Sequence, residues 1–146
     1  MAIKQTDEGV RAASDKFYNA LTQMASGDAA PMLELWPHRD DVTTMHPIGG
    51  REVGWDEVQG PWQGVADMAD GGEVTPTDQH FRVYGDVAIE LVTEKASMSL
   101  GGETVDGEYR ATNVYLREDG EWHIIHHHTD TDSEFIDIVQ RLGGGE

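Results

Sequence analysis

Residues 79–129 decide the fold, and they read QHFRVYGDVAIELVTEKASMSLGGETVDGEYRATNVYLREDGEWHIIHHHT. The dipeptides Gly85-Asp86, Gly101-Gly102 and Asp119-Gly120 divide the stretch into four runs that are rich in β-branched and aromatic residues. Short turns of this kind join neighbouring strands of an antiparallel sheet. The stretch therefore predicts a four-stranded antiparallel meander. Its strands are expected over residues 79–84, 87–99, 104–117 and 121–129.

The first half of the chain has helical periodicity instead. Apolar residues recur at three- and four-residue spacing over residues 7–26, and Gly27 is expected to end this helix. A second, short helix follows the capping residue Asp28, carries Pro31 in its first turn and ends before Pro37. Both helices are predicted to bury one face.

A third helical pattern runs from Trp55 to Ala69. Gly60-Pro61 interrupts it, and because proline lacks an amide hydrogen and clashes with the preceding turn, we expect a kink there or two short helices. Gly71-Gly72 is expected to end the helical half of the chain.

Short segments complete the secondary structure. Residues 42–45 are predicted to form a strand that closes at His46-Pro47 and the Gly49-Gly50 turn. A capping-box pattern at residues 131–134 predicts a short final helix, and residues 143–146 are expected to form a loose tail.

Helices followed by a bent antiparallel sheet predict an α+β fold. We expect one cone-shaped domain over residues 1–146, with the N-terminal helices packed on a strongly curved antiparallel sheet. Such a sheet can curl around a pocket that is open at one end.

Composition excludes several classes of protein. The chain of 146 residues has no cysteine, which excludes disulfides, zinc ribbons, iron–sulfur clusters and thiol nucleophiles. Its apolar runs are too short to cross a bilayer, and its first residues lack the apolar segment of a secretion signal. The sequence therefore predicts a cytoplasmic protein with no membrane partner.

The net charge is strongly negative. Twenty-eight acidic residues against ten basic ones give a formal charge of −18, which would repel the backbone of a nucleic acid. An acid-rich surface with few lysines is typical of proteins from salt-accumulating halophiles, and an acidic mesophile protein is the alternative. No nucleic-acid partner is expected.

Three motifs carry a family resemblance. They are ALTQMASGDAAPMLELW at residues 20–36, DVTTMHPIG at residues 41–49 and NVYLREDGEWHIIHHHT at residues 113–129. In this order they resemble the nuclear-transport-factor-two-like superfamily, which includes ketosteroid isomerases, SnoaL-like polyketide cyclases and dehydratases. The last motif is closest to the association domain of calcium/calmodulin-dependent kinase. The resemblance implies a homodimer, because the sheets of this family commonly pair.

His46 is the strongest catalytic candidate. In ketosteroid isomerases the position before the Pro-x-Gly loop is a carboxylate that moves the substrate proton, and the resemblance places His46 there. A neutral imidazole can accept a proton near pH 7, since its reference pKa is about 6.5. The alternative is a histidine that only orients the loop.

Asn113 aligns with the acid that stabilises the oxyanion in the isomerases. Its amide can still donate a hydrogen bond, but more weakly than a protonated carboxyl group. The isomerase tyrosine aligns with Ala20, two residues from Tyr18, so steroid isomerisation is not expected. The arginines that bind carboxylates in the kinase domain align with Thr93, Asn113 and Thr129, and that ligand is not expected either.

His126 and His128 lie on one face of the last strand, which is compatible with a metal site or with a structural or interface role. We predict no metal and no cofactor, because no third ligand is fixed by the sequence.

Strand alternation selects the side chains that face the pocket. Tyr109 and Tyr115 share the face of Asn113, and His127 shares that of Thr129 unless a bulge intervenes. Together with these residues, the aromatic side chains of Tyr18, Trp36 and Trp62 are expected to bind the ligand, although core packing explains them equally well.

The sequence therefore predicts a SnoaL-like domain that binds a hydrophobic small molecule. It is expected to act as an isomerase, cyclase or dehydratase with His46 as general base and with Asn113 and His127 orienting the substrate. The alternative is a non-enzymatic module of the same fold that binds a ligand or oligomerises.

Overall fold

The computed structural model describes the backbone of residues 2–143 and the side chains from residue 8 to residue 143. These residues form helices and strands in the order α1 (Ala2–Ala25), α2 (Ala30–Leu35), β1 (Thr43–His46), β2 (Gly49–Val53), α3 (Trp55–Met68), β3 (Ala69–Tyr84), β4 (Val87–Leu100), β5 (Glu103–Glu118), β6 (Glu121–Thr129) and α4 (Ser133–Gly143). Within this part of the chain, no helix has the length and apolarity required to cross a membrane.

The strands form one six-stranded sheet in the order β2-β1-β6-β5-β4-β3. The pairs β3–β4, β4–β5 and β5–β6 are antiparallel, so the predicted meander is confirmed. β1 lies parallel to β6, with Thr43 opposite His126, and the sheet is therefore mixed rather than wholly antiparallel. Local turn signals could not reveal this pairing, because the two strands are more than 70 residues apart in the chain.

β3 is ten residues longer than predicted, since it begins at Ala69 directly after α3. The prediction that Gly71-Gly72 ends the helical half is wrong, because both glycines lie inside the strand. They have φ angles of 147° and 137°, which side chains rarely adopt, and the backbone of β4 passes against Gly72. The glycines therefore allow an irregular, close strand pairing at this position.

The predicted helices are present, and α1 begins at Ala2, five residues before its predicted start at residue 7. α3 is one helix that contains Pro61, so of the two alternatives expected at Gly60-Pro61, a kink or two short helices, the second does not occur. The predicted Gly49-Gly50 turn is the start of β2, which pairs back on β1. The final helix is confirmed and includes Gly143, while residues 144–146 of the predicted tail lie outside the described residues.

The core lies between the helices and the sheet face that they cover. Phe17 of α1 is fully buried, and its ring packs edge-on against those of Trp36 and Trp62 at centroid distances of 6.4 and 6.1 Å. The same ring contacts His127 of β6 at 4.9 Å. Helices on one face of a curved, open sheet confirm the α+β fold class.

Candidate functional site

A cavity of about 50 Å³ lies between the helices and the buried face of the sheet. By this measure one water molecule needs roughly 10–15 Å³, and a cavity of about 150 Å³ holds benzene, so an aromatic ligand fits only if the wall moves apart. The cavity wall is mainly apolar and carries one carboxyl group, that of Glu94, and two imidazoles, those of His46 and His127. The other lining residues are Leu21, Met24, Pro47, Ile48, Pro61, Trp62, Val65, Val74, Ala96, Met98, Tyr109 and Phe135.

Glu94 is a buried carboxyl group on this wall. Only 4% of the residue is exposed, and the Tyr18 hydroxyl donates a hydrogen bond of 2.7 Å to its Oε2. Burial raises the pKa of Glu94 to about 7. The hydrogen bond from Tyr18 lowers this pKa, and the charge of nearby Glu90 raises it further. A carboxyl group with this pKa can release or take up a proton near neutral pH.

Glu90 is a second buried carboxyl group, four residues before Glu94 on the same face of β4. Its Oε1 accepts hydrogen bonds from the Tyr115 hydroxyl at 2.7 Å and from Asn113 Nδ2 at 3.1 Å. Its Oε2 accepts from Ser14 Oγ at 2.9 Å and from Gln79 Nε2 at 2.8 Å. Four donors around two oxygens are the environment that stabilises a carboxylate in a protein interior.

Sequence reasoning missed both glutamates. The signal was present, because residues 88–100 alternate between the two faces of β4, and Glu90 and Glu94 fall on the face of Ala88 and Leu100. An acidic residue on the buried face of a strand needs a partner or a function. The alternation could therefore have identified them.

His127 lies between Asn113 and Glu94. Its Nδ1 is 2.6 Å from Asn113 Oδ1, and its Nε2 is 3.8 Å from Glu94 Oε2, beyond hydrogen-bond distance. Burial holds the pKa of His127 well below its usual value, and the neighbouring His46 lowers it further. The imidazole is therefore neutral at pH 7.

A bulge in β6 brings His127 to the buried face. Val114 pairs with His126, but Tyr115 pairs with Ile124, so Ile125 is the extra residue. His127 and Thr129 are buried as their alternation requires, whereas on the other side of the bulge Ile124 is buried in place of Ile125.

His46 is buried at the end of β1. Its ring packs edge-on against Trp62 at 4.4 Å and lies 5.9 Å from that of His127. Its Nε2 lies 3.6 Å from Glu52 Oε1 and makes no hydrogen bond with the described residues. Burial lowers the pKa of His46 to about 4, which makes the imidazole a weak base at neutral pH.

The predicted aromatic contacts divide into two groups. Trp62 and Tyr109 line the cavity, and the Tyr109 hydroxyl donates a hydrogen bond to Asp132 at 2.7 Å. Trp36, Tyr18 and Tyr115 do not line it and pack behind its wall.

Asn113 and Tyr18 still belong to the site through hydrogen bonds. Asn113 Nδ2 donates to the Tyr18 hydroxyl at 2.9 Å, and the Tyr18 hydroxyl binds Glu94. The hydroxyl that donates to Glu94 thus belongs to Tyr18. Position 20, which aligns with the isomerase tyrosine, is an alanine in this chain.

His126 and His128 lie on the opposite face of the sheet from the cavity. The half-buried His126 places Nδ1 2.6 Å from Thr43 Oγ1, and His128 is exposed. Within the described residues, no three histidine, aspartate or glutamate side chains come together in a way that could hold a metal ion.

Comparisons with known proteins agree with this architecture. A candidate dehydratase of the NTF2-like family from Streptomyces avermitilis superposes with a TM-score of 0.75 at 26% identity, over 88% of this chain and 97% of the other. A candidate association domain of calcium/calmodulin-dependent protein kinase type II from Thiobacillus denitrificans superposes with a TM-score of 0.69 at 28% identity, over 84% and 94%.

The sequence comparisons are consistent with these structures. The F-box protein SKIP8 of Arabidopsis thaliana is 32% identical over 98 residues, which are 67% of this chain and 40% of that protein. The chain therefore matches less than half the length of this relative. Residues 10–129 match the SnoaL-like domain. Because this match spans most of the chain and the structure has the corresponding fold, the chain belongs to the SnoaL-like domain family within the nuclear-transport-factor-two-like superfamily.

Proposed function

We propose that this protein binds a small, largely apolar molecule in the cavity, which widens to admit it, and transfers a proton through Glu94. The observation that carries the proposal is the buried Glu94 carboxyl group on an apolar wall, with Tyr18 bonded to it and His127 Nε2 nearby. Apolar cavities with a few convergent polar groups are typical of small-molecule sites.

The chemistry follows from the surroundings of Glu94. As a carboxylate, which the hydrogen bond from the Tyr18 hydroxyl stabilises, Glu94 would take a proton from an acidic C–H of the ligand, and the negative charge would pass to the ligand. Return of that proton to another atom of the ligand would complete an isomerisation, and departure of a leaving group would complete an elimination. The elimination is the reaction type for which the candidate dehydratase from Streptomyces avermitilis is named.

His46 has a different part in this proposal from the one that the sequence suggests. Its low basicity makes Glu94 the better proton acceptor, although both line the cavity. His46 would orient the ligand beside Trp62, as a neutral ring. The general base of the proposed site is thus Glu94 of β4 rather than His46 of β1.

A base-sensitive probe tests the proposal. Ring opening of 5-nitrobenzisoxazole begins when a base removes its single acidic C–H proton, after which the N–O bond breaks and a coloured phenolate forms. We expect the protein to accelerate this reaction over an equal concentration of acetate, with a rate that rises with pH through about 7. Glu94→Gln keeps an acceptor for Tyr18 but has no basic oxygen, and should lose at least about 100-fold in rate.

Matched variants control this experiment. Glu108→Gln removes an exposed carboxylate from the neighbouring strand β5 and should leave the rate unchanged. His46→Phe should keep the rise of the rate with pH through about 7, since the ring is not the base, even where the substitution weakens ligand binding. A wild-type rate equal to that of acetate, or an unchanged rate in Glu94→Gln, would contradict the proposal.

The outer face of the sheet favours a second function, self-association. Ile89 and Leu91 of β4 stand beside Val114 and Thr112 of β5 on the face opposite the cavity, and Leu91 is 38% exposed. Apolar side chains grouped on a solvent-facing sheet are typical of an interface. The relative from Thiobacillus denitrificans is an association domain, which supports pairing of two copies through this face.

Light scattering coupled to size-exclusion chromatography tests the homodimer. We expect twice the mass of one chain for the wild type, and a monomer for Leu91→Lys because a charge would be buried at the interface. Ser97→Lys, on the same face of β4 but beyond the apolar group, should remain dimeric. A monomeric wild type, or a dimeric Leu91→Lys, would exclude pairing through this face.

A further inference from the structure

Glu90 is not among the residues that line the cavity, yet it determines which donor and acceptor atoms the cavity presents. A carboxylate only accepts hydrogen bonds, so the Asn113 atom that lies 3.1 Å from Glu90 Oε1 has to be the amide nitrogen. The Tyr115 hydroxyl and the side chains of Ser14 and Gln79 occupy the other acceptor positions of Glu90. The orientation of the Asn113 amide is therefore fixed by Glu90.

The first consequence concerns His127. Since the amide nitrogen of Asn113 points toward Glu90, its Oδ1 points toward His127 and accepts from Nδ1 at 2.6 Å. A neutral imidazole carries one proton, and here that proton is on Nδ1. Nε2, which is 3.8 Å from Glu94 Oε2, is left as a hydrogen-bond acceptor.

The second consequence concerns Tyr18. Asn113 Nδ2 also donates to the Tyr18 oxygen at 2.9 Å, so the tyrosine proton is directed to Glu94 at 2.7 Å. Above about pH 7, where Glu94 is ionised, Glu94 and His127 thus both present acceptors at the polar end of the cavity. No arginine or lysine is among the lining residues of the cavity.

We propose that Glu90 is a positioning residue that holds His127 in the Nδ1–H tautomer through Asn113, and that the cavity therefore selects ligands with an O–H or N–H donor over carboxylates. The ligand class rests on the proposed function of the cavity. The tautomer does not, since it follows from hydrogen bonds within the protein.

The tautomer is measured directly on the protein without a ligand. Two-bond ¹H–¹⁵N spectra distinguish the protonated from the unprotonated nitrogen of each imidazole, and His127→Phe assigns the signal. We expect Nδ1–H in the wild type at pH 7.5. In Glu90→Gln the new amide can donate to Asn113, which permits the Asn113 amide to turn and moves the His127 proton to Nε2.

Ser14→Ala is the matched control, because it removes one donor to Glu90 Oε2 and leaves the contact between Glu90 and Asn113 in place. It should keep the Nδ1–H tautomer. An Nε2–H tautomer in the wild type would overturn the proposal even if Glu90→Gln does not fold. An unchanged tautomer in a folded Glu90→Gln would overturn it as well.

Phenol and benzoate test the ligand class, with the chemical shifts of His127 as the reporter. We expect phenol to bind at least tenfold more tightly than benzoate at pH 7.5, and this ratio to fall in Glu90→Gln. Equal or tighter binding of benzoate, or no binding of either probe, would overturn the ligand class. If His127 has the expected tautomer but the protein does not accelerate ring opening of 5-nitrobenzisoxazole, that result would contradict only the proposed proton transfer by Glu94.

Discussion

Burial controls the protonation of the residues around the cavity. It disfavours charge on any group, so it raises the pKa of Glu94 to about 7 and lowers that of His46 to about 4. Between these two values both side chains are neutral, and His127 is neutral as well. The polar end of the cavity becomes anionic only above about pH 7, when Glu94 loses its proton.

The pKa of Glu94 predicts how this residue affects stability. The pKa of Glu94 is about 7 in the folded state against 4.5 for a freely solvated glutamate side chain, so the folded state binds more protons between these values. Stability then falls as pH rises from about 4.5 to about 7, and Glu94→Gln removes this loss. Relative to wild type, the variant should gain about 3 kcal/mol in free energy of unfolding between pH 4.5 and 8.

Urea denaturation of both proteins at several pH values measures this difference. His46 opposes the effect in the wild type, because its lowered pKa makes stability rise between about 4 and 6.5, but it is present in both proteins and cancels. Glu108→Gln, an exposed substitution, should show no such trend. A difference between Glu94→Gln and wild type that does not change with pH would contradict the raised pKa.

At the scale of elements, the pairing of β3 with β4 depends on one close approach. A side chain at Gly72 would meet the backbone of Ser97 and Met98, whereas one at Gly71 would meet nothing within 4 Å. Both glycines have a positive φ, so any substitution strains the backbone to a comparable degree. Only Gly72 adds a steric conflict between two strands.

This pair of glycines gives a matched comparison. Gly71→Ala should destabilise the protein through backbone strain alone, by about 1 kcal/mol or more. Gly72→Ala should cost about 1–3 kcal/mol in addition, because backbone atoms cannot move aside as a flexible side chain can. Thermal and urea unfolding of the two variants measure the difference. Equal losses of stability in the two variants would show that the close approach of β4 to Gly72 adds no measurable cost.

At the scale of the whole molecule, charge opposes compactness. A net charge of −18 on 146 residues produces repulsion over the entire surface, and the exposed pairs such as Arg110–Asp130 neutralise only a small part of it. Each exposed pair contributes little by itself. Screening by salt is therefore expected to matter more for this chain than for a protein of balanced charge.

Salt should accordingly stabilise the protein. The Debye length falls from about 10 Å at 0.1 M to about 3 Å at 1 M, which removes most of the repulsion between distant carboxylates. We expect the melting temperature to rise by at least about 3 °C between 0.1 and 1 M sodium chloride, which corresponds to about 1 kcal/mol. Glucose at equal osmolarity controls for solvent effects and should raise it less. A constant or falling melting temperature in salt would contradict the repulsion argument.

The sequence by itself determined the elements whose signals are local. Two-residue turns defined the meander, helical periodicity defined α1 and α3, and alternation placed Tyr109, Asn113 and Tyr115 on one buried face. The same alternation contained Glu90 and Glu94, but it does not name their partners. These signals depend on neighbours within a few residues, which is why they are readable from one chain.

Only the tertiary structure decided the site. The parallel pairing of β1 with β6 brings His46 near His127, and the packing of α1 on the sheet places Tyr18 against Glu94, 76 residues away in sequence. The size of the cavity and the pKa of each buried group depend on the same packing. Solvent exclusion and distance between remote segments set these properties, and neither is encoded in the local pattern of residues.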